Sequence, residues 1–220
     1  MGKKIFVFGV EEETLINSKF HIRKDVINSI AMILSNIRNS GKDVILVTAG
    51  AIASGIEKLN KTKYPSSLEE KQAYAAIGQV EMIKRYQNIF DEYTQMVAQV
   101  LLARDMIHDS KQKTNATNTF STLLAQEIIP IINENDTIST ADIEEENNYL
   151  LNQTVSTFMN ANASIIIEPD LSFRVLCKGN NKFHTLENKD KLFEFLDTYD
   201  FDSQASVTAN YPINFPKESF

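Results

Sequence analysis

The chain has 220 residues, 43% of them hydrophobic and 23% charged, with a formal net charge of -7. This is the composition of a soluble globular protein of one large or two small domains, and its acidic balance excludes a sequence-independent nucleic-acid surface, which needs clustered Lys and Arg. The single cysteine, Cys177, excludes an internal disulfide and fits a reducing, cytoplasmic compartment; no apolar run reaches the roughly 18 residues of a membrane helix, and "MGKKIFVFGVEEE" has too short an apolar run for a signal peptide.

In chain order, "KKIFVF" predicts a short buried strand ending at Gly9. Ile27, Ile30, Leu34 and Ile37 recur at helical spacing and predict an amphipathic helix over 23–39, closed by Gly41. "DVILVT" predicts a second buried strand. The small-residue run "AGAIASG" follows it and leads into "IEKL". A strand running straight into a helix start gathers main-chain N–H groups that can take an anion. Residues 67–91 predict a helix with a weak point at Gly78. Then come a strand at "MVAQVLLA", a helix over 114–126, a strand at "EIIPIIN", a polar loop, a helix over 148–160 and a strand at "ASIIIE".

Near-continuous apolar strands alternating with helices belong to the α/β class. They imply a mainly parallel central sheet covered on both faces, a three-layer αβα sandwich. The expected division is residues 1–170 for this domain and 171–220 for a divergent segment. The latter completes or extends the sheet with a strand at "FRVLCKG" and a helix at "KDKLFEFLDTYD", then ends in a loop-like tail.

Ligands of open parallel sheets bind beyond the carboxyl ends of the strands. Four segments should line that edge: Gly9 with "VEEE", "TAGAIASG", the residues after "VLLARD", and "NENDTIST". Thr48, Gly50 and Ala51 offer main-chain donors, and Asn133 and Asp136 an amide and a carboxylate. Together these suit a zwitterion, its ammonium on the carboxylate and its carboxylate on the amides. Composition alone also allows "NEND" to be a polar turn, and "TAGAIASG" to be a helix packed tightly on the sheet. The acidic triplets Glu11–Glu13 and Glu144–Glu146 read as solvated loops. His21, His108 and His184 are too scattered for a metal set, and Cys177 reads as a core residue.

Several segments then fall in one order and spacing: "VILVTAGAIASGIEKL", "KQAYAAIGQ", "QVLLARDMI" and "NATNTFSTLLAQEIIPIINENDTISTADI". Over residues 4–170 the chain resembles the glutamate 5-kinases of the amino-acid kinase family. Those enzymes transfer the ATP γ-phosphate to the side-chain carboxylate of glutamate, the first step of proline synthesis. The resemblance implies glutamate contacts at Thr48, Ala49, Gly50 and Ala51, with Ala49 replacing a hydroxyl residue, and at Asn133 and Asp136. A later family segment, "GDNDNLS", falls on Glu146–Asn152. There Asn148 is kept, while Asn147 and Tyr149 replace two acids.

The phosphate side departs from the family pattern. The family opens with "V-K-x-G-[T/S]-S", in which the lysine neutralises the transferred phosphoryl group. Here that lysine falls on Val7, Gly9 is kept, and the hydroxyl positions become Val10 and Glu11. After Gly78 only Gly179 remains, so the family's later glycine-rich nucleotide loop has no counterpart and the nucleotide half is expected to be incomplete. The expectation is an impaired or inactive relative with no confident catalytic residue, no metal site and no cofactor, ATP and Mg²⁺ entering only if it is active. An amino acid such as glutamate is the expected ligand, with a homo-oligomer, or a hetero-oligomer with an active homologue, as the assembly. An active glutamate kinase and a non-binding scaffold are the alternatives.

Overall fold

The computed structural model describes residues 2–103, 109–138, 148–204 and 211. His108, the Glu144–Glu146 triplet and most of the tail lie outside the described residues, as do Asn147 and most of the segment after "VLLARD".

One seven-stranded sheet organises the chain. Its strands are β1 (Ile5–Val10), β2 (Asp43–Val47), β3 (Val97–Leu102), β4 (Ile129–Glu134), β5 (Ala163–Ile167), β6 (Phe173–Cys177) and β7 (Phe183–Leu186), in the order β3-β4-β2-β1-β5-β6-β7. The first five are parallel. β6 runs antiparallel to β5, and β7 antiparallel to β6. The inner strands are apolar at nearly every position because both faces are covered, as parallel sheets require.

Alternation along β1 sorts its side chains between two layers. Phe6, Phe8 and Val10 point into a core with α2 (Lys24–Asn39), α4 (Leu68–Glu92) and α7 (Lys189–Thr198). Val7 points to the other face, into a core with Phe120 and Leu124 of α5 (Ser110–Ala125) and Leu151 and Val155 of α6 (Asn148–Phe158). Phe6 and Phe8 are wholly buried, each contributing about 1.5–3 kcal/mol by transfer from water. The remaining helices, α1 (Glu12–Leu15) and α3 (Ala51–Lys58), follow β1 and β2 directly.

Two expectations are corrected. Gly78 is no weak point: α4 runs unbroken through it, and the glycine serves close packing, since a Cβ there would stand 1.7 Å from the carbonyl oxygen of Ala51. Gly55 faces Tyr74 the same way, at 2.1 Å. The two glycines let α3 and α4 cross backbone to backbone. Secondly, α5 starts at Ser110 rather than 114. Asp109 caps it, its carboxylate accepting from the N–H groups of Lys111 and Gln112, and the polar first turn carries no apolar period to reveal it.

Residues after β5 extend the same sheet. Asp170 makes the turn into β6, accepting from the Ser172 N–H at 2.9 Å. Cys177 is buried, and burial pushes its thiol up to about 11. Tyr211 anchors the far end by donating its hydroxyl to the carbonyl of Ala161 at 2.9 Å.

Candidate functional site

The carboxyl ends of β4, β2 and β1 lie side by side at one small cleft open to solvent. Its walls are Glu12, Ala49, Gly50, Ala51, Ile52, Asn133, Glu134, Asp136 and Asn148. Six of the seven residues expected to hold an amino acid therefore meet here, and Thr48 does not line it.

The β2 side is built by a tight strand-to-helix turn. Gly50 is the N-cap of α3 with φ 91°, a left-handed conformation that side chains resist. The first residues of α3, whose amides have no acceptor within their own helix, line the cleft. Thr48 is the support beneath it. Its N–H donates to Ile132 at 2.8 Å, and its buried hydroxyl pairs with that of Tyr86 at 2.7 Å. Burial raises the Tyr86 hydroxyl well above the usual phenol range, so it stays protonated.

On the β4 side, "NEND" is divided between two tasks. Asn135 makes the turn: its N–H donates to Leu102, and its side chain accepts from the Thr137 hydroxyl at 2.6 Å. Asn133 and Asp136 line the cleft. The Asn133 side-chain oxygen accepts from the Glu134 N–H at 2.9 Å. Its Nδ2 has no protein partner although the residue is only 3% exposed. A buried unpaired amide costs about 1–3 kcal/mol. Gln79, from "KQAYAAIGQ", holds this segment in place, donating to the Glu134 carbonyl at 3.1 Å and accepting from Gln99 at 2.9 Å.

The β1 side differs from expectation at Glu12. The triplet Glu11–Glu13 is not a loop: Glu11 stands at the N-cap position of the short helix α1 without a side-chain cap bond, Glu12 lines the cleft and Glu13 is exposed. No sequence signal distinguished Glu12 from its two neighbours; its position one residue inside α1 decides it.

The expected phosphate loop holds two buried valines and a carboxylate. Val7 and Val10 are wholly buried, on opposite faces of β1, and Glu11 is half-buried. Gly9 pairs with Val47 on one side and Ile166 on the other. The space above it is taken by Asn152: a Cβ on Gly9 would stand 2.9 Å from Asn152 Cγ. Asn152 and Gln153 both donate to the Ser164 hydroxyl, at 2.8 and 3.0 Å, and Ser164 pairs in register with Val7. Among the described residues no group of three His, Cys, Asp or Glu could hold a metal ion, and no helix is long and apolar enough to cross a membrane.

This architecture has known relatives. The fold is similar to that of a carbamate kinase from Giardia, with a TM-score of 0.53 at 12% identity over 83% of this chain and 78% of that one. In sequence the chain is 42% identical over 171 residues to the glutamate 5-kinase of Clostridium perfringens, covering 76% of this chain and 63% of the relative. It is 40% identical over 170 residues to that of Listeria innocua, covering 76% and 62%. The chain thus spans slightly under two thirds of the curated relatives it matches. The profile described as the amino acid kinase family matches residues 14–157, which takes in the β2 and β4 sides of the cleft and leaves β1 outside. With 144 of 220 residues inside that profile, counting 14 through 157, this chain belongs to the amino acid kinase family.

Proposed function

We propose that this chain is a glutamate 5-kinase-like protein related to proline biosynthesis that binds an α-amino acid in the cleft and does not phosphorylate it, serving as a regulatory or oligomeric subunit. The observation that carries this is the contrast between the two sides of β1. The cleft gathers six of the seven residues expected to hold an amino acid, Asn133 with its unpaired amide nitrogen among them. The position of the family's phosphate-facing lysine is instead a valine buried in the core with α5 and α6, and Asn152 packs over Gly9.

A nucleotide's phosphates do not fit that side. Phosphoryl transfer is driven by positioning and by cations on the transferred group, and the residues there are two valines and a carboxylate. They supply neither a cation nor a donor for a transferred phosphoryl group. In the zwitterion reading, Asp136 receives the ammonium, while the α3 amides and Asn133 receive the carboxylate.

A second reading, an active glutamate 5-kinase, draws on identities near 40% to proteins of that name. Calorimetry with amino acids and with ATP-Mg²⁺, beside a phosphotransfer assay on L-glutamate, separates the two. Expected are amino-acid heat lost in Asp136→Ala, no heat with ATP-Mg²⁺ and no turnover. Turnover that disappears in a cleft variant would overturn the proposal. Co-purification from native cells tests the subunit role, and self-association alone counts against a mixed oligomer.

A further inference from the structure

We infer that the exposed face of α4 docks a second copy of this chain, the two helices crossing antiparallel about a two-fold axis. The inference makes the oligomeric part of the reading above specific and does not depend on amino-acid binding.

Helical residues three, four and seven apart share a face. Along α4, Glu69, Ala73, Ala76, Ile77, Val80 and Lys84 follow that spacing, and all six are exposed. The buried residues of the helix, Ala75, Gly78, Gln79, Met82, Tyr86 and Phe90, belong to the opposite face, toward the chain's own core. Val80 is 52% exposed and Ile77 36%. Branched residues on a solvated helix face gain neither burial nor helix propensity. The apolar surface continues onto the sheet. Gln99 of β3 donates to Gln79 of α4 at 2.9 Å, and Leu101, two residues on along the same face of that strand, is 37% exposed. Single exposed apolar residues are ordinary, whereas grouped ones mark interaction sites.

The charges at the ends of the stripe decide what covers it. Glu69 and Lys84 lie at equal distances from its midpoint, between Ala76 and Ile77. A two-fold axis through that midpoint sets Lys84 of the second copy beside Glu69, its Val80 beside Ala73 and its Ile77 beside Ala76. Every contact then occurs twice, as a self-complementary interface requires. Opposite charges meet at both ends, and along the middle a small residue faces a branched one, so the helices can approach closely. A parallel pairing would instead set Glu69 on Glu69 and Lys84 on Lys84. A partner carrying one strong charge would meet its like at one end. Lys84 also stands 3.8 Å from Glu81 of its own helix, but its side chain is 62% exposed and such an i,i+3 pair is weak, so it can reach across.

The test is analytical ultracentrifugation of the full chain up to high-micromolar concentration, with circular dichroism to confirm that each variant is folded. A species of twice the 24.9 kDa chain mass is expected. Val80→Glu should weaken association about ten-fold or more, as loss of a central apolar contact does. Glu69→Lys and Lys84→Glu should each weaken it about three-fold, the scale of exposed ion pairs. The double variant should return to wild-type strength, because each reversed charge again meets its opposite. That recovery is a result misfolding cannot produce. A monomer at every concentration would overturn the inference, as would a dimer undisturbed by a folded Val80→Glu. A double variant no tighter than the single ones would overturn the antiparallel pairing. Each of these failures leaves the amino-acid reading to its own calorimetry.

Discussion

Gly9 and Asn152 share one space: a methyl group on Gly9 would stand 2.9 Å from Cγ of Asn152 and 3.0 Å from Cδ1 of Ile166. Asn152 cannot swing away freely, because its amide donates to the Ser164 hydroxyl in the core. Gly9→Ala should therefore lower stability by about 1–3 kcal/mol, the usual cost of overpacking. In an Asn152→Ala background the same change should cost much less. Urea unfolding of the four chains, treated as a double-mutant cycle, measures the coupling.

Gly78 and Ala76 should respond in very different degree. A Cβ at Gly78 would collide with the Ala51 carbonyl, and backbone atoms cannot give as a side chain can. Gly78→Ala is expected to cost roughly 3 kcal/mol or more. Ala76 is exposed on the same helix, so Ala76→Gly should cost only about 0.5–1 kcal/mol through helix propensity. Denaturation midpoints at unchanged slope report both.

The buried hydroxyl pair of Thr48 and Tyr86 holds the base of the β2 turn at 2.7 Å. Tyr86→Phe keeps the ring packing and leaves the Thr48 hydroxyl short of a partner, at a cost of about 1–2 kcal/mol. Because Thr48 does not line the cleft, ligand affinity measured well below the melting temperature should change little. A large affinity loss would put Thr48 in contact with ligand.

Glu57 ties the loop before α2 to α4 at the back of the site. It accepts from the Ile22 N–H at 3.1 Å and from Arg85 at 2.8 Å. Burial works against its charge, but the Arg85 hydrogen bond and the Ile22 N–H outweigh it and hold the carboxyl below its ordinary 4.5. A depressed carboxylate contributes stability above its unfolded value and loses it as pH falls through the folded one. The stability gap between the wild type and Glu57→Gln should thus be full above about pH 5 and close below pH 4.5. Thermal melts across that range check it.

Much of the fold was legible because burial on both faces leaves a simple mark. "VILV" and "IIPII" are apolar throughout, and such runs fit strands between two helical layers. Less legible was anything set by a partner distant in sequence. Gly78 reads as a helix flaw until α3 is laid across it, and Gln79 shows no role until Glu134 and Gln99 flank it. Within "NEND", four similar polar residues offer no local reason for Asn135 to make the turn while Asn133 and Asp136 face the cleft.

The sequence by itself determined the class of the fold, the strands that meet at the ligand edge and the replacement of a lysine by Val7, since apolar period and residue identity are local properties. Only the tertiary structure decided that Glu12 lines the cleft, that Thr48 supports it from beneath, and that Asn152 packs over Gly9. Each of those depends on which residues, separated by tens of positions, the parallel sheet brings within a few ångströms of one another.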